Sequence, residues 1–168
     1  MPGYFTSPDG DLESIFVDDY AMIDQYAATG SLWTWGSNLY TGALGDNTLT
    51  ARSSPVQTVA AGTNWKQVAG GNRQTTAIKT DGTLWTWGHN LYGQLGNNTT
   101  TPNSSPVQTV AGGTNWKQVS ANYRHTAAIK TDGTLWLWGV NSSGQLGDNS
   151  TTSKSSPVQT VSGGANWK

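Results

Sequence analysis

Short runs of apolar residues, separated by stretches rich in Gly, Ser, Thr and Asn, dominate the pattern of this chain. In the run "TDGTLWLWG", residues 131–139, Trp136 and Trp138 stand two positions apart, with leucines between and before them. Residues two apart on an extended strand share one face. Both faces of this strand are therefore apolar, which predicts a strand covered from two sides.

Variants of this run occur at residues 28–36 and 80–88, so it belongs to a repeat. Residues 62–112 and 113–163 align without a gap and agree at 36 of 51 positions. A partial copy occupies residues 31–61, and "GANWK" at residues 164–168 opens a further one. A period of this size is typical of solenoids and propellers.

Four extended segments are predicted in each copy, as in "WKQV", "TAAIK", "TLWLW" and "PVQTV". Asp132-Gly133 predicts a two-residue hairpin turn, because both residue types tolerate a positive φ. Pro157 is expected at the first position of the fourth strand, where no ladder donor is lost. The prediction is an all-β fold of about three propeller-like blades, in which neighbouring blades bury each other's faces.

Residues 1–30 form an acidic leader that differs from the repeats. This leader has a formal charge of -6 and residues 31–168 a charge of +5, although the whole chain has a net charge of only -1. The pattern of this leader predicts either a helix or an eroded repeat. The eroded repeat would supply the first blade with its inner strands. The excess of acid indicates contact with the chain's own basic repeats or with another protein. Five apolar residues of the leader have no copy elsewhere and are predicted to cap the first blade or anchor the chain to an assembly: Tyr4, Phe5, Ile15, Phe16 and Val17.

Candidate chemistry is sparse. The chain has no cysteine and two histidines, and neither His89 nor His125 has a serine or carboxylate placed as a catalytic partner. His125 is replaced by Gln74 in the preceding copy, which favours a polar hydrogen-bonding role at a strand start. The loops "GDNTLT", "GNNTTTPN" and "GDNSTTSK" contain oxygen ligands but lack the spacing of a calcium loop, so solvated turns are the better interpretation. No catalytic residue, metal or cofactor is predicted.

Partners are expected to be proteins. The bases are too dispersed for nucleic-acid binding, and no run of eighteen apolar residues predicts a membrane span. The two complete copies differ mainly in the loops between constant strands, a pattern that suits recognition. The residues predicted to bind a partner there are Arg73, Tyr92, Tyr123 and Arg124.

The segment "HTAAIKTDGTLWLWGVNSSGQLG", residues 125–147, resembles the signature of the regulator of chromosome condensation (RCC1) repeat family. Residues 74–96 match with Gln74 in place of the histidine, and residues 32–45 match in part. The resemblance implies RCC1-type propeller blades, and the family's usual form is a seven-bladed ring. Three blades are then an incomplete ring or part of a larger propeller. Either further blades follow Lys168 or several chains join to finish the propeller, and an end inside the strand that "NWK" opens favours further blades.

The family has members of several functional classes. Near-identical repeats behind a short acidic leader look most like its phage and bacterial structural members, which predicts a non-enzymatic structural or adhesive protein of a phage virion: a tail, baseplate or fibre subunit anchored by its N-terminus. Its partners would be other subunits, including copies of itself, and a cell-surface receptor. The alternative is a soluble interaction module, located in the cytoplasm, that inhibits an enzyme or regulates a GTPase.

Overall fold

The computed structural model describes residues 12–17, 21–26, 30–60, 62–162 and 164–167, with side chains from residue 30 onward. The described chain is all-β and forms three four-stranded antiparallel sheets in sequence order. The first sheet contains β1 (Leu12–Val17), β2 (Ala21–Tyr26), β3 (Trp33–Gly36) and β4 (Arg52–Gln57). The second contains β5 (Trp65–Gly71), β6 (Gln74–Lys79), β7 (Leu84–Gly88) and β8 (Asn103–Gln108), and the third contains β9 (Trp116–Ala121), β10 (His125–Lys130), β11 (Leu135–Gly139) and β12 (Lys154–Gln159).

Within each sheet the strands pair in chain order, and the sheets pack face to face as blades. The first strands of successive sheets contact one another, β1 with β5 and β5 with β9, so they form the inner side of the array. None of the described residues forms a helix long and apolar enough to cross a membrane.

The acidic leader contributes strands. β1 pairs with β2 from Leu12↔Tyr26 to Val17↔Ala21, and β2 pairs with β3. The helical alternative for this segment is wrong, because Leu12–Val17 and Ala21–Tyr26 are both extended. These strands complete the first sheet as β5 and β6 complete the second.

Tryptophans fill the space between the sheets, as the alternating pattern predicts. At the first junction, Trp65 and Trp87 of the second sheet pack against Leu32 and Leu44 of the first, with ring centroids of the two indoles 6.0 Å apart. The equivalent Trp116 and Trp138 fill the second junction. Trp87 and Trp138 are fully buried.

The leucine face of β7, opposite its tryptophans, packs toward the third sheet. Leu84 of β7 is fully buried against the third sheet. Its counterpart Leu135 in β11 is only half-buried, since no fourth sheet lies among the described residues. Burial on this face therefore depends on the next blade.

The hairpin turn differs from the predicted two-residue form. The N–H of Gly133 donates to the carbonyl of Lys130, at 2.9 Å, and the N–H of Lys130 donates to the carbonyl of Thr134, at 3.0 Å. Gly133 alone has a positive φ, of 79°, and Asp132 instead accepts from the N–H and hydroxyl of Thr134 through its carboxylate. The turn is one residue longer because the Asp side chain closes it and only glycine adopts the left-handed conformation.

The prediction for Pro157 is also wrong in position. β12 begins at Lys154, so Pro157 lies inside the strand. β12 is the outer edge strand, and its register with β11 shifts between Leu137 and Gly139. Proline is tolerated there because a bulge on an edge strand requires no N–H donor.

Candidate functional site

One end of the three sheets carries the long loops. Because successive strands are antiparallel, the turn between β5 and β6, the turn between β9 and β10, and the loops that follow β3, β7 and β11 all emerge at this end. We call it the loop end. All four loop residues predicted to bind a partner belong to it.

A buried asparagine stabilises each long loop internally. The side-chain amide of Asn90 donates to the carbonyls of Thr99 and Thr101, both at 3.0 Å, and its oxygen accepts from the N–H of Leu95 at 2.9 Å. Asn38 and Asn141 occupy the same place in the other copies and are also fully buried. Donors and acceptors inside the loop are thus satisfied without a regular ladder.

Each long loop is also bonded to the following sheet. The carbonyl of Gln94 accepts from the indole N–H of Trp138 and from the hydroxyl of Thr126, both at 2.8 Å. The carbonyl of Ala43 accepts from Trp87 and Thr75 at 2.8 and 2.9 Å in the same way. The loop end is therefore rigid where two sheets meet.

A pocket of about 310 Å³ opens at the loop end between the second and third sheets. Its lining combines two cations, an imidazole, a phenol and an amide: Asn72, Arg73, His89, Tyr123 and Arg124. The turns before β6 and β10 supply four of these residues, and His89 is the first residue after β7.

Arg124 is held by aromatic rings. Its guanidinium carbon lies 4.7 Å from the ring centroid of Tyr92 and 4.8 Å from that of Tyr123. Tyr92 in turn lies 6.3 Å from the His89 ring. Cation–π contacts of this kind orient a guanidinium without neutralising it.

The hydrogen bonds around His89 show which of its ring nitrogens carries the proton. The backbone N–H of Tyr92 donates to Oε1 of Gln94 at 2.9 Å, so the Nε2 amide of Gln94 points to His89 Nδ1, 2.7 Å away. An amide nitrogen only donates, so Nδ1 accepts and the neutral ring carries its proton on Nε2. Burial and the positive charges of Arg73 and Arg124 lower the pKa of His89. The imidazole is thus a neutral hydrogen-bond donor near pH 7.

Several residues in and beside the pocket differ between copies, whereas Arg73 and Arg124 occupy the same position in the two complete copies. Val140 replaces His89 and Ser143 replaces Tyr92 in the last copy, while Asn72 stands where the third sheet has Tyr123. At the junction of the first and second sheets, Tyr40 takes the place of Tyr92 and is 81% exposed. Among the described residues, the full combination of arginine, tyrosine and histidine therefore occurs at the second junction alone.

The structure brings together the four residues predicted in the variable loops. Arg73, Tyr123 and Arg124 line the pocket, and Tyr92 contacts Arg124 at its side. Sequence reasoning missed His89 as a member of this group, although the change from "HNLY" to "VNSS" between copies marked its position. Their role in binding a partner stays a prediction.

The five residues of the predicted anchor lie partly outside the described residues. Tyr4 and Phe5 lie outside the described residues. Ile15, Phe16 and Val17 belong to β1, whose backbone pairs with β2. An anchoring role for these five residues stays a prediction.

Gln74 and the acid of the first long loop make contacts within the fold. Gln74, the counterpart of His125, donates a 3.0 Å hydrogen bond to the hydroxyl of Thr126 in the next sheet. In the loops considered for calcium, the carboxylate of Asp46 accepts from Asn38, Thr48 and Arg52. Within the described ranges, no group of three His, Cys, Asp or Glu residues could hold a metal ion.

Comparison with known proteins agrees with the repeat pattern. The family model for the regulator of chromosome condensation (RCC1) repeat matches residues 29–78, 81–129 and 132–166. The ultraviolet-B receptor UVR8 of Arabidopsis thaliana is 32% identical over 149 residues, which is 88% of this chain and 34% of UVR8.

Two solved structures share the fold. Human WBSCR16 has a TM-score of 0.75 at 20% identity, over 91% of this chain and 38% of that protein. Prp20p of Saccharomyces cerevisiae, described by its binding to Gsp1p and histones, also has a TM-score of 0.75, at 16% identity over 88% of this chain and 37% of Prp20p. The chain thus spans between a third and two fifths of the length of these proteins, and as eukaryotic proteins they give the predicted phage subgroup no support.

Proposed function

We propose, from the premise that this chain belongs to the RCC1-repeat family, that it is a non-enzymatic protein-interaction module whose binding surface is the loop end at the junction of the second and third sheets. The observation that carries the proposal is the convergence of Arg73, His89, Tyr123 and Arg124 around one pocket. Tyrosine and arginine are the residue types that most often dominate the binding energy of protein interfaces.

The rigidity of the surface supports the proposal. The loops around the pocket are bonded internally through Asn90 and to the third sheet through the carbonyl of Gln94. A partner that binds here would order few loop residues, so little conformational entropy would oppose association.

The roles of the relatives support a binding function more than a structural one. Prp20p is described by its binding to Gsp1p and histones, and UVR8 is a receptor. Regulation of a GTPase and inhibition of an enzyme are both finer forms of this proposal. A role as a virion subunit is a further form of the proposal, and only the acidic leader and the near-identical repeats support it.

The test compares two variants with four substitutions each. The first, Arg73→Ala, Tyr92→Ala, Tyr123→Ala and Arg124→Ala, removes the pocket. The second, Lys66→Ala, Lys117→Ala, Val110→Ala and Val161→Ala, removes two exposed cations and two exposed apolar side chains elsewhere.

Proteins enriched on the immobilised wild-type chain would be purified, and their dissociation constants measured for the three forms. We expect the pocket variant to bind at least about 100-fold more weakly, since an interface centre commonly loses 2 kcal/mol or more per large side chain. The control variant should bind within about threefold of wild type. Equal binding by all three folded forms would contradict the proposal.

A further inference from the structure

We propose that copies of this chain associate head to tail, with the outer face of the third sheet in one copy packed against the first sheet of the next copy. The two surfaces are of the same kinds that already meet at both junctions within the chain. They are separate from the pocket at the loop end, so this association does not depend on the proposed function.

Each junction within the chain joins two different kinds of face. At the second junction, Ile78 and Leu84 of the second sheet pack against Trp116 and Trp138 of the third. We call the surface that carries Ile78 and Leu84, or their counterparts, the leucine face of a sheet, and the opposite surface its tryptophan face. The first junction has the same arrangement, with Leu32 on the leucine face. In both junctions a leucine face therefore meets a tryptophan face.

The third sheet presents a leucine face that no described sheet covers. Ile129 pairs with Leu135 on this face, as Ile78 pairs with Leu84 in the second sheet. The pair in the second sheet is fully buried. The pair in the third sheet is half-buried and lines an open cavity of about 290 Å³. Covering this pair would remove apolar surface from water, which favours association.

The first sheet presents a tryptophan face that no described sheet covers. Trp33 of β3 is 43% exposed. Its counterparts Trp85 and Trp136 are half-buried, because each packs against the core of the junction with the preceding sheet. Trp33 is therefore a side chain that a preceding sheet would cover.

Gln118 marks where the backbone of a second copy would bond. At the second junction, its counterpart Gln67 bonds to the N–H and the carbonyl of Val119, both at 3.2 Å. Gln118 is exposed and lines the cavity on the third sheet. In the first sheet, Ser14 has the register of Val119, as the pairing of β1 with β2 and of β9 with β10 shows. The backbone of Ser14 in a second copy is therefore the partner that Gln118 would bond.

Residues 164–167 leave most of this leucine face open. They reach the third sheet at the hairpin turn between β10 and β11, where the N–H of Trp167 donates to the carbonyl of Gly133 at 3.3 Å. Trp65 makes the equivalent bond at the start of β5 and has the register of Leu12 in β1. The rest of β1 in a second copy would therefore lie beyond Trp167, on the open part of the face.

Charge favours the head-to-tail orientation. The leader, residues 1–30, supplies β1 and β2 of the first sheet and has a formal charge of -6. Residues 113–168 contain five Lys and Arg and two Asp, which gives a formal charge of +3. Opposite charges at the two ends attract each other, whereas two first sheets or two third sheets would repel.

Sedimentation velocity of the full chain over a concentration series tests the inference. Leu135→Asp places a carboxylate on the leucine face of the third sheet, and Trp33→Asp places one on the tryptophan face of the first. Val110→Asp is the matched control, because Val110 is also exposed, at 52%, but follows β8 and belongs to neither end face. Circular dichroism and thermal unfolding check that each variant is folded.

We expect wild type to form species of two or more chains in proportions that rise with concentration. Each face variant should raise the dissociation constant at least about tenfold, because association would bury a carboxylate without a partner. Val110→Asp should change the dissociation constant less than about twofold.

An equimolar mixture of Leu135→Asp and Trp33→Asp tests the orientation of the contact. The Trp33→Asp copy keeps an intact leucine face and the Leu135→Asp copy an intact tryptophan face. The mixture should therefore form a two-chain species that neither variant forms alone, and this species would also show that both variants are folded. A symmetric contact between two leucine faces would instead let Trp33→Asp associate by itself and would overturn the inference.

Monomeric wild type at every concentration would likewise overturn the inference, as would a face variant that associates as tightly as wild type. The variant that lacks the four loop residues should associate as wild type does. If it does not, the contact between copies lies at the loop end and the inference is wrong. Loss of the purified partner by that variant tests the proposed function separately.

Discussion

The indole nitrogen of Trp87 donates a 2.8 Å hydrogen bond to the carbonyl oxygen of Ala43, which belongs to the loop of the preceding sheet. Trp138 makes the same bond to Gln94 at the next junction, also at 2.8 Å. Trp87 and Trp138 therefore have two roles each. The ring fills the space between two blades, and the N–H bonds to the loop of the preceding sheet, which for Trp138 is the loop beside the candidate site.

Replacing Trp138 should destabilise the chain more than replacing Trp136. Trp138→Phe removes a donor from a fully buried bond and leaves a gap, for which we expect a loss of about 2–3 kcal/mol in the free energy of unfolding. Trp136 donates to the hydroxyl of Thr134 in a half-buried setting, so Trp136→Phe should cost about 1 kcal/mol. Urea unfolding measures both, and equal losses would show that the bond to Gln94 does not stabilise the junction.

A comparison of Gly96 with Gly112 shows whether glycine is required because a side chain would clash or because of the backbone conformation alone. Both have a left-handed backbone, with φ of 66° and 50°. A Cβ at Gly96 would stand 2.7 Å from Nε1 of Trp138, whereas one at Gly112 would meet nothing within 4 Å. Gly112→Ala should therefore cost about 1 kcal/mol and Gly96→Ala about 2–4 kcal/mol. Thermal denaturation of the two variants side by side checks the difference.

Gln67 bonds the second sheet to the third through the backbone of β9. Its side chain donates to the carbonyl of Val119 and accepts from the N–H of Val119, both at 3.2 Å. Gln67→Ala leaves both backbone groups without this partner, so we expect a loss of about 1–3 kcal/mol. Gln118 holds the same position in the third sheet but is exposed, and Gln118→Ala should change stability by less than about 0.5 kcal/mol. A comparable loss in both variants, measured by urea unfolding, would contradict this interpretation.

Asp46 should make stability depend on acid pH. Burial raises the pKa of its carboxyl, but hydrogen bonds from Thr48 and Arg52 outweigh burial and lower the pKa below its ordinary value. The folded state then binds fewer protons than the unfolded state, so this stabilisation is present above about pH 4 and is lost as the pH falls through the lowered pKa. Asp46→Asn should be less stable than wild type at pH 7 and lose less stability between pH 5 and pH 3. Urea midpoints across this range would show parallel curves if Asp46 contributed nothing.

Much of the fold could be predicted because the sequence repeats with a period of 51 residues. Trp136 and Trp138 on one face and Leu135 and Leu137 on the other predicted a strand covered on both sides. In the second sheet, β7 is such a strand, with Trp87 buried against the first sheet and Leu84 against the third. The details of the turns could not be read in this way. The Asp132 side chain competes for the N–H of Thr134, and such local competition decides a turn by a single residue.

The candidate site was only partly predictable. The variable loops between the copies contain Arg73, Tyr92, Tyr123 and Arg124, but their sequence gives no distances between these residues. His89 was set aside because it lacked a catalytic partner, whereas its importance lies in the Gln94 amide that fixes its proton and in the two guanidiniums nearby. These neighbours come from two different sheets, so sequence spacing alone cannot place them together.

The sequence by itself determined the strands, the repeat and the need for neighbouring blades, because residue alternation and a 51-residue period are local properties that any copy displays. Only the tertiary structure decided which loops meet at a junction and therefore which side chains share a pocket. The physical reason is that the carbonyls of Ala43 and Gln94, which bear no sequence signal, accept the hydrogen bonds that set one blade against the next. That packing places Tyr92 of the second sheet beside Arg124 of the third.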